Sequence, residues 1–229
     1  MRKTLYTLNV DGYAPELCKL TYPWLEFYAD KIGAKFHVIS ERKWPHMPPV
    51  YEKLQIYELA QESGDDWNIY IDSDALVHPE TVDWTALLDK DTVAHNGSDM
   101  AAVRWKYDGY FLRDGRNIGS CNWMTIASDW CIDLWRPLDD LTPEQAYDNI
   151  IPTVGEKQAG ITREHLIDDY VLSRNIARFG LKFTTLKQLQ ADHGMPDANF
   201  YWHVYTESID AKIAQMKQVI ETWGLNGWK

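Results

Sequence analysis

Apolar and polar positions follow two alternating rhythms over the first hundred residues. Residues 4–10 form a short β-prone run that ends in the turn dipeptide Asp11-Gly12. Residues 15–32 read as a helix, which Pro23 is expected to kink or split. Residues 35–40 (KFHVIS) give a second strand, followed by a loop containing Pro45, Pro48 and Pro49. From Val50 onward, Leu54 and Tyr57 mark one side of an amphipathic helix. Glu52, Gln55, Glu58 and Glu62 line its other side, and Gly64 ends it. Residues 67–71 (WNIYI) have the aromatic and β-branched content of a buried strand.

Strands alternating with helices predict a mostly parallel sheet covered on both faces. Ligands of such sheets bind beyond the carboxyl ends of the strands, here just after Val10, Ser40 and Ile71. The second half is less regular. Residues 101–105 are strand-like, 117–127 mix strand and loop signals, and 130–134 predict a short helix stopped before Pro137. Residues 139–160 read as a polar surface excursion, and 169–179 as a helix stopped by Gly180. Ile209, Ile213, Met216, Ile220 and Trp223 give the clearest helical period, ended by Gly224. No linker or repeat interrupts the chain, so residues 1–229 are expected to form one domain, with a nucleotide-binding half over 1–100 and an acceptor-binding half with the C-terminal helix over 101–229.

Charge narrows the classes of partner. Lys and Arg total 23 against 34 Asp and Glu, a net charge of -11, which argues against broad contact with nucleic acid. Cys18, Cys121 and Cys131 form no CxxC pair and read as reduced thiols. The N-terminal run is too short and polar for a signal peptide, and no stretch approaches the ~18 apolar residues of a membrane span. A cytoplasmic protein is expected. The 11 Trp and 13 Tyr supply large faces with a polar handle, suited to core or to sugar-binding walls.

The chemistry concentrates where the third strand runs out, in Ile71-Asp72-Ser73-Asp74. In extended backbone, residues two apart point the same way, so Asp72 and Asp74 can converge on one cation. Like charges this close need a metal or hydrogen bonds to neutralise them, and hard cations such as Mg²⁺ and Mn²⁺ take oxygen ligands. The alternative is a turn in which each Asp caps backbone N–H groups.

A strand ending in Asp-x-Asp, preceded by a helix carrying Lys53-Leu54, resembles the nucleotide-sugar glycosyltransferases of the GT-A fold. The likeness is greatest to the glycogenin and galactosyltransferase-like family 8 and neighbouring retaining families. Thr7-Leu8-Asn9-Val10-Asp11-Gly12-Tyr13 resembles their first strand and nucleotide loop, and Asn117-Ile118-Gly119 their segment beside the donor sugar. Asp168-Asp169-Tyr170-Val171-Leu172-Ser173 resembles the acidic pair that opens a helix near the reacting carbon. Phe200-Tyr201-Trp202-His203 resembles the late segment whose His completes a metal site. The lysine-proline-tryptophan that usually follows that His is replaced by Val204-Tyr205-Thr206-Glu207, so a lysine for the diphosphate must come from elsewhere or be missing.

The resemblance implies an α/β fold: a single GT-A-like, Rossmann-like domain whose mixed, mostly parallel sheet is flanked by helices. It implies transfer of a sugar from a nucleoside diphosphate sugar, a UDP-sugar favoured, to a carbohydrate or other hydroxyl acceptor, with retention. Mn²⁺ or Mg²⁺ would be held by Asp72, Asp74 and His203, with His193 as the rival third ligand and Asp72 also a ribose partner. Asn9, Tyr13, Lys53, Asn117 and Gly119 are the further donor contacts; Trp123 and Trp44 are candidate acceptor walls. Asp168 and Asp169 are candidate catalytic residues, and one of them is expected to cap the helix that follows. Lys53 has the alternative of a solvated place on an exposed helix face. Arg104, Lys106, Arg113 and Arg116 are candidates for phosphate contact or for a mobile acceptor loop. Competing readings are a Mg-dependent nucleotidyltransferase or phosphatase, and a carbohydrate- or nucleotide-binding protein without catalysis. A nucleotidyltransferase would carry a basic Gly-rich loop where Asn9-Val10-Asp11-Gly12 stands. Phosphatases of the haloacid dehalogenase type place Asp-x-Asp on the first strand.

Overall fold

The computed structural model describes residues 1–96, 123–152, 154–195, 201–203 and 208–225. Six strands build the main sheet: β1 (Lys3–Leu8), β2 (Lys35–Ile39), β3 (Trp67–Ile71), β5 (Thr92–His95), β6 (Met124–Ser128) and β7 (Lys182–Thr185). Their order is β2-β1-β3-β6-β5-β7. β1 pairs in parallel with β2 and β3, and β5 with β7, whereas β6 runs antiparallel to both its neighbours. The sheet is therefore mixed and mostly parallel, as expected. Two further strands, β4 (Ala75–Val77) and β8 (Tyr201–His203), form a separate antiparallel ribbon.

Side-chain alternation along the central strands sorts the core onto the two faces of the sheet. Leu5, Ile69 and Ile71 pack with Leu25, Tyr28 and Trp84 on one face. Tyr6 and Tyr70 pack with Leu54, Trp135 and Tyr170 on the other. Each fully buried large side chain contributes about 1.5–3 kcal/mol. A third cluster joins Leu17 and Trp24 of helix α1 (Pro15–Ile32) to Leu76 of β4 and to Met216 and Ile220 of the last helix.

Helix α1 spans the expected residues and runs through Pro23 without a break. The segment after Pro48 is first a 3-10 helix (Pro49–Gln55) and then α2 (Ile56–Ser63), closed by Gly64 at φ 61, a left-handed position that suits glycine. The tighter winding changes its faces. Glu52, expected on the solvent side, is buried and accepts hydrogen bonds from Arg42 Nε (3.0 Å) and from the backbone N–H groups of Lys43 (2.9 Å) and Trp44 (2.8 Å). The 139–160 stretch is likewise more than a surface excursion. It contains α3 (Pro143–Asp148), entered through a capping box at Thr142, and α4 (Val154–Gln158), and it buries Ala146 and Ile150.

Helix α5 (Ile167–Phe179) begins two residues earlier than the sequence indicates, following directly on a 3-10 turn (Glu164–Leu166). Its cap position is Leu166, without a side-chain cap, so neither Asp168 nor Asp169 is the cap. Both stand in the first turn instead, where the helix dipole favours a negative charge. Helices α6 (Leu186–Asp192) and α7 (Ile209–Thr222) follow, and the short helix expected at 130–134 is a 3-10 helix (Asp129–Trp135). Asn117, Gly119, Cys121, the strand-like 101–105 run and the basic group Arg104, Lys106, Arg113 and Arg116 lie outside the described residues.

Candidate functional site

β3 ends at Ile71 and β4 begins at Ala75, so Asp72-Ser73-Asp74 is a three-residue corner at the carboxyl end of a central strand. The corner is fixed from both sides. The Asp72 N–H donates to the Trp123 carbonyl (2.8 Å), and the Thr21 hydroxyl donates to the Ser73 carbonyl (2.5 Å). The register Ala75↔His203 in the small ribbon then delivers the imidazole from the far end of the chain. One ligand atom from each of Asp72, Asp74 and His203 lies within 4.8 Å of the others. His203 Nε2 is 3.3 Å from Asp74 Oδ1 and 3.6 Å from Asp72 Oδ2. His193, the rival, is an exposed residue at the C-terminal end of α6, outside this group.

The outer oxygens of the two carboxylates are held by a matching pair of clamps. Asp72 Oδ1 accepts from the Tyr70 hydroxyl and lies 3.4 Å from Lys53 Nζ. Asp74 Oδ2 accepts from Lys212 Nζ and from the Tyr13 hydroxyl (3.3 Å). Burial alone would raise the Asp74 pKa, but the hydrogen bond and charge of His203, with the Lys212 ammonium, hold it well below the usual carboxylate range. Two inner oxygens and one imidazole nitrogen are thereby left facing a common point. A set of two carboxylates and one imidazole fits a divalent cation, and the nitrogen ligand suits Mn²⁺ better than Mg²⁺.

Lys53 is a correction to the solvated alternative. Its side chain is 4 % exposed and reaches Asp168 Oδ2 at 2.5 Å, with Tyr70 as a cation–π floor (4.6 Å to the ring centroid). Burial disfavours the Lys53 ammonium, yet Asp168 and Asp72 together hold its pKa above the ordinary lysine value. One buried ammonium thus ties the Asp-x-Asp corner to the acidic pair of α5. Asp169, next to Asp168, is 2 % exposed.

The aromatic candidates divide by role. Trp123 lies flat on the His203 ring (5.1 Å between centroids, 5° between planes) and fixes its orientation. Trp202, one residue before His203, occupies the other side of the ribbon and lines a cleft of about 310 Å³ with Gln215, Val219 and Trp223 of the C-terminal segment. Trp44 packs edge-on against Tyr51 in the proline-rich loop. Tyr13 is 38 % exposed beside Asp74 and lies in a loop whose Asp11 and Ala14 have φ of 57° and 42°. Asn9 turns inward, its amide donating to Cys18 Sγ (3.4 Å). Replacing Trp123 with Ala should weaken Mn²⁺ binding about tenfold, the scale of orienting contacts behind a metal ligand. Calorimetric titration with MnCl₂ measures this, and an unchanged affinity would make Trp123 a packing residue only.

Lys212 was not among the expected site residues. Its signal lay in the final helix, where Lys212, Met216 and Ile220 are four apart and all buried. A lysine on an apolar stripe needs an acidic partner, and Asp74 is that partner.

The chain has the fold of a glycosyltransferase involved in the glycosylation of the major capsid of PBCV-1, at 13% identity and a TM-score of 0.51. The alignment covers 95% of this chain and 100% of that one. The galactosyltransferase LgtC, solved in complex with donor and acceptor sugar analogs, aligns over 95% of this chain and 96% of its own, with 12% identity and a TM-score of 0.47. No family model and no curated protein sequence matches the chain. Among the described residues, no helix is long and apolar enough to cross a membrane.

Proposed function

We propose that the protein is a metal-dependent glycosyltransferase that moves a sugar from a nucleoside diphosphate sugar to an acceptor hydroxyl with retention. The observation that carries this reading is the meeting of Asp72, Asp74 and His203 at the carboxyl end of β3, in a fold shared with a glycosyltransferase. A divalent cation held there would supply Lewis-acid neutralisation of the leaving diphosphate. Mn²⁺ is favoured over Mg²⁺ by the imidazole, and a UDP-sugar is the favoured donor.

The chain's own residues fall into three tasks. Tyr13, exposed at the nucleotide loop, offers a ring for the base, with Asp72 beside the ribose. Lys53 bridges Asp168 and Asp72 and so ties the donor side to the acceptor side. Asp168 is committed to Lys53; Asp169 is therefore the carboxylate assigned to positive charge on the sugar or to orienting the acceptor. Cys18 and Cys131 are buried free thiols, which supports a reducing, cytoplasmic setting.

Hydrolysis of a panel of nucleotide sugars, with Mn²⁺ and with chelator, tests the reading. The expected result is metal-dependent release of nucleoside diphosphate from one donor. Absence of turnover with every donor, together with no thermal shift on adding nucleotide, overturns it; a thermal shift without turnover would point to binding without catalysis. Asp169→Asn is expected to leave donor affinity intact while lowering transfer about a hundredfold, the scale of a positioned catalytic group. Unchanged transfer would return Asp169 to a purely structural role.

A further inference from the structure

We propose that Lys212 is a built-in counter-ion of the metal site, and that it couples binding of the divalent cation to binding of the nucleoside diphosphate. The inference rests on the metal–nucleotide reading above and deepens it.

Each carboxylate is clamped by a tyrosine and a lysine, but the two lysines are not held alike. Lys53 is shared between Asp72 and Asp168, and its side chain is 4 % exposed. It is locked in place by two anions. Lys212 comes from α7, donates to Asp74 Oδ2, and lies 3.4 Å from the Tyr13 hydroxyl, which itself donates to Asp74. Among the described residues Asp74 is the carboxylate that Lys212 bridges to, and the opposite oxygen of that carboxylate faces His203 at 3.3 Å. The ammonium therefore sits on the same three-atom carboxylate that would ligate the cation.

A divalent cation entering between Asp72, Asp74 and His203 meets a positive charge one carboxylate away. The two repel, and part of the Asp74 charge is already spent on Lys212. A cation alone should bind weakly. A diphosphate alone is attracted by the Lys212 charge but repelled by three nearby carboxylates, Asp72, Asp74 and Asp168. Together, the diphosphate oxygens give the cation and Lys212 a common anion, and the repulsion becomes shared attraction. Each ligand then raises the affinity for the other, as reciprocal linkage requires. The chain thereby resists loading with cation in the absence of donor.

The test is calorimetry on the full chain with three titrations: MnCl₂ alone, uridine diphosphate alone, and MnCl₂ into the diphosphate-saturated protein. Wild type, Lys212→Met and Lys212→Arg are compared, with melting temperature as the folding check. Lys212→Met should bind Mn²⁺ alone about tenfold tighter and uridine diphosphate alone about tenfold weaker, for one full charge removed one carboxylate away from the cation. The enhancement of Mn²⁺ affinity by the diphosphate should shrink correspondingly, and Lys212→Arg should keep it. If Lys212→Met melts early, Lys212→Gln, which keeps a donor for Asp74 without the charge, is read in the same way. Unchanged or weaker Mn²⁺ affinity in a folded, uncharged variant overturns the coupling while leaving the transferase reading intact. Wild type that binds neither Mn²⁺ nor the diphosphate overturns both.

Discussion

Asp74→Ala should lose Mn²⁺ binding and lower metal-dependent donor hydrolysis by about three orders of magnitude, the scale of several kcal/mol of charge stabilisation. It should also cost stability. Asp74 is 7% exposed and Lys212 is 8% exposed, so removing the carboxylate leaves a nearly buried ammonium without its anion. Breaking such a pair from one side costs about 3–5 kcal/mol. From the sequence alone, a residue at a strand end would be expected to carry little of the fold; its partner on α7 reverses that expectation. Asp74→Asn, close in shape, separates the two effects. It should lose the metal while keeping more of the stability, because its amide oxygen can still accept from Lys212. Titration with MnCl₂ and urea unfolding of both variants measure the two losses. Full retention of Mn²⁺ affinity in Asp74→Asn would remove Asp74 from the ligand set.

Lys53→Met should be the most damaging single change to the acidic centre. It strands Asp168, which is 4% exposed, and releases Asp72 from one of its clamps. The expected loss is about 3–5 kcal/mol near pH 7. Its pH dependence identifies the cause. Burial raises the Asp168 pKa above the ordinary carboxylate value even in the intact protein, with Lys53 pulling it back down. Without Lys53 the folded-state value moves higher still. A group whose folded pKa exceeds its unfolded value, ordinarily about 3.9, stabilises the fold fully below that unfolded value. The stabilisation is lost as pH rises through the folded one. Lys53→Met should therefore be less impaired at pH 5 than at pH 8, measured by urea unfolding at both. A deficit that is equal at the two pH values would show that Asp168 is not the stranded group.

These two lysines mark the boundary of what local sequence patterns reveal. The convergence of Asp72 and Asp74 follows from a period of two at the end of an apolar strand, and the sequence order alone carries it. The alternation of strands and helices likewise carries β1, β2 and β3, including the bounds of α1 and β3, but not β5 or β7, which no alternating run announces. Lys53 was harder to read because its neighbours Glu52, Gln55 and Glu58 look like a solvated helix face. The 3-10 winding of Pro49–Gln55 sets these side chains at a different pitch and buries Glu52 and Lys53 together. Lys212 was visible in principle as a cation among Met216 and Ile220, but its acid lies in a distant segment. His203 needed the β4–β8 register, a non-local pairing that no window along the chain contains. The start of α5 moved for a local reason: a 3-10 turn leads straight into the helix, which leaves Asp168 and Asp169 inside it.

The β4–β8 pairing also places the site in time. Residues up to Thr185 supply all six strands of the main sheet, whereas His203 and Lys212 lie beyond them. A ribosome thus delivers all six strands before it delivers His203 or Lys212. The nascent sheet can form while its acidic corner is still without either partner. A chain that stops between Thr185 and Tyr201 has all six strands but lacks Tyr201 of one core face and Met216 and Ile220 of the third cluster. On the transferase reading proposed above, the site is completed late, when the segment carrying His203 and Lys212 arrives.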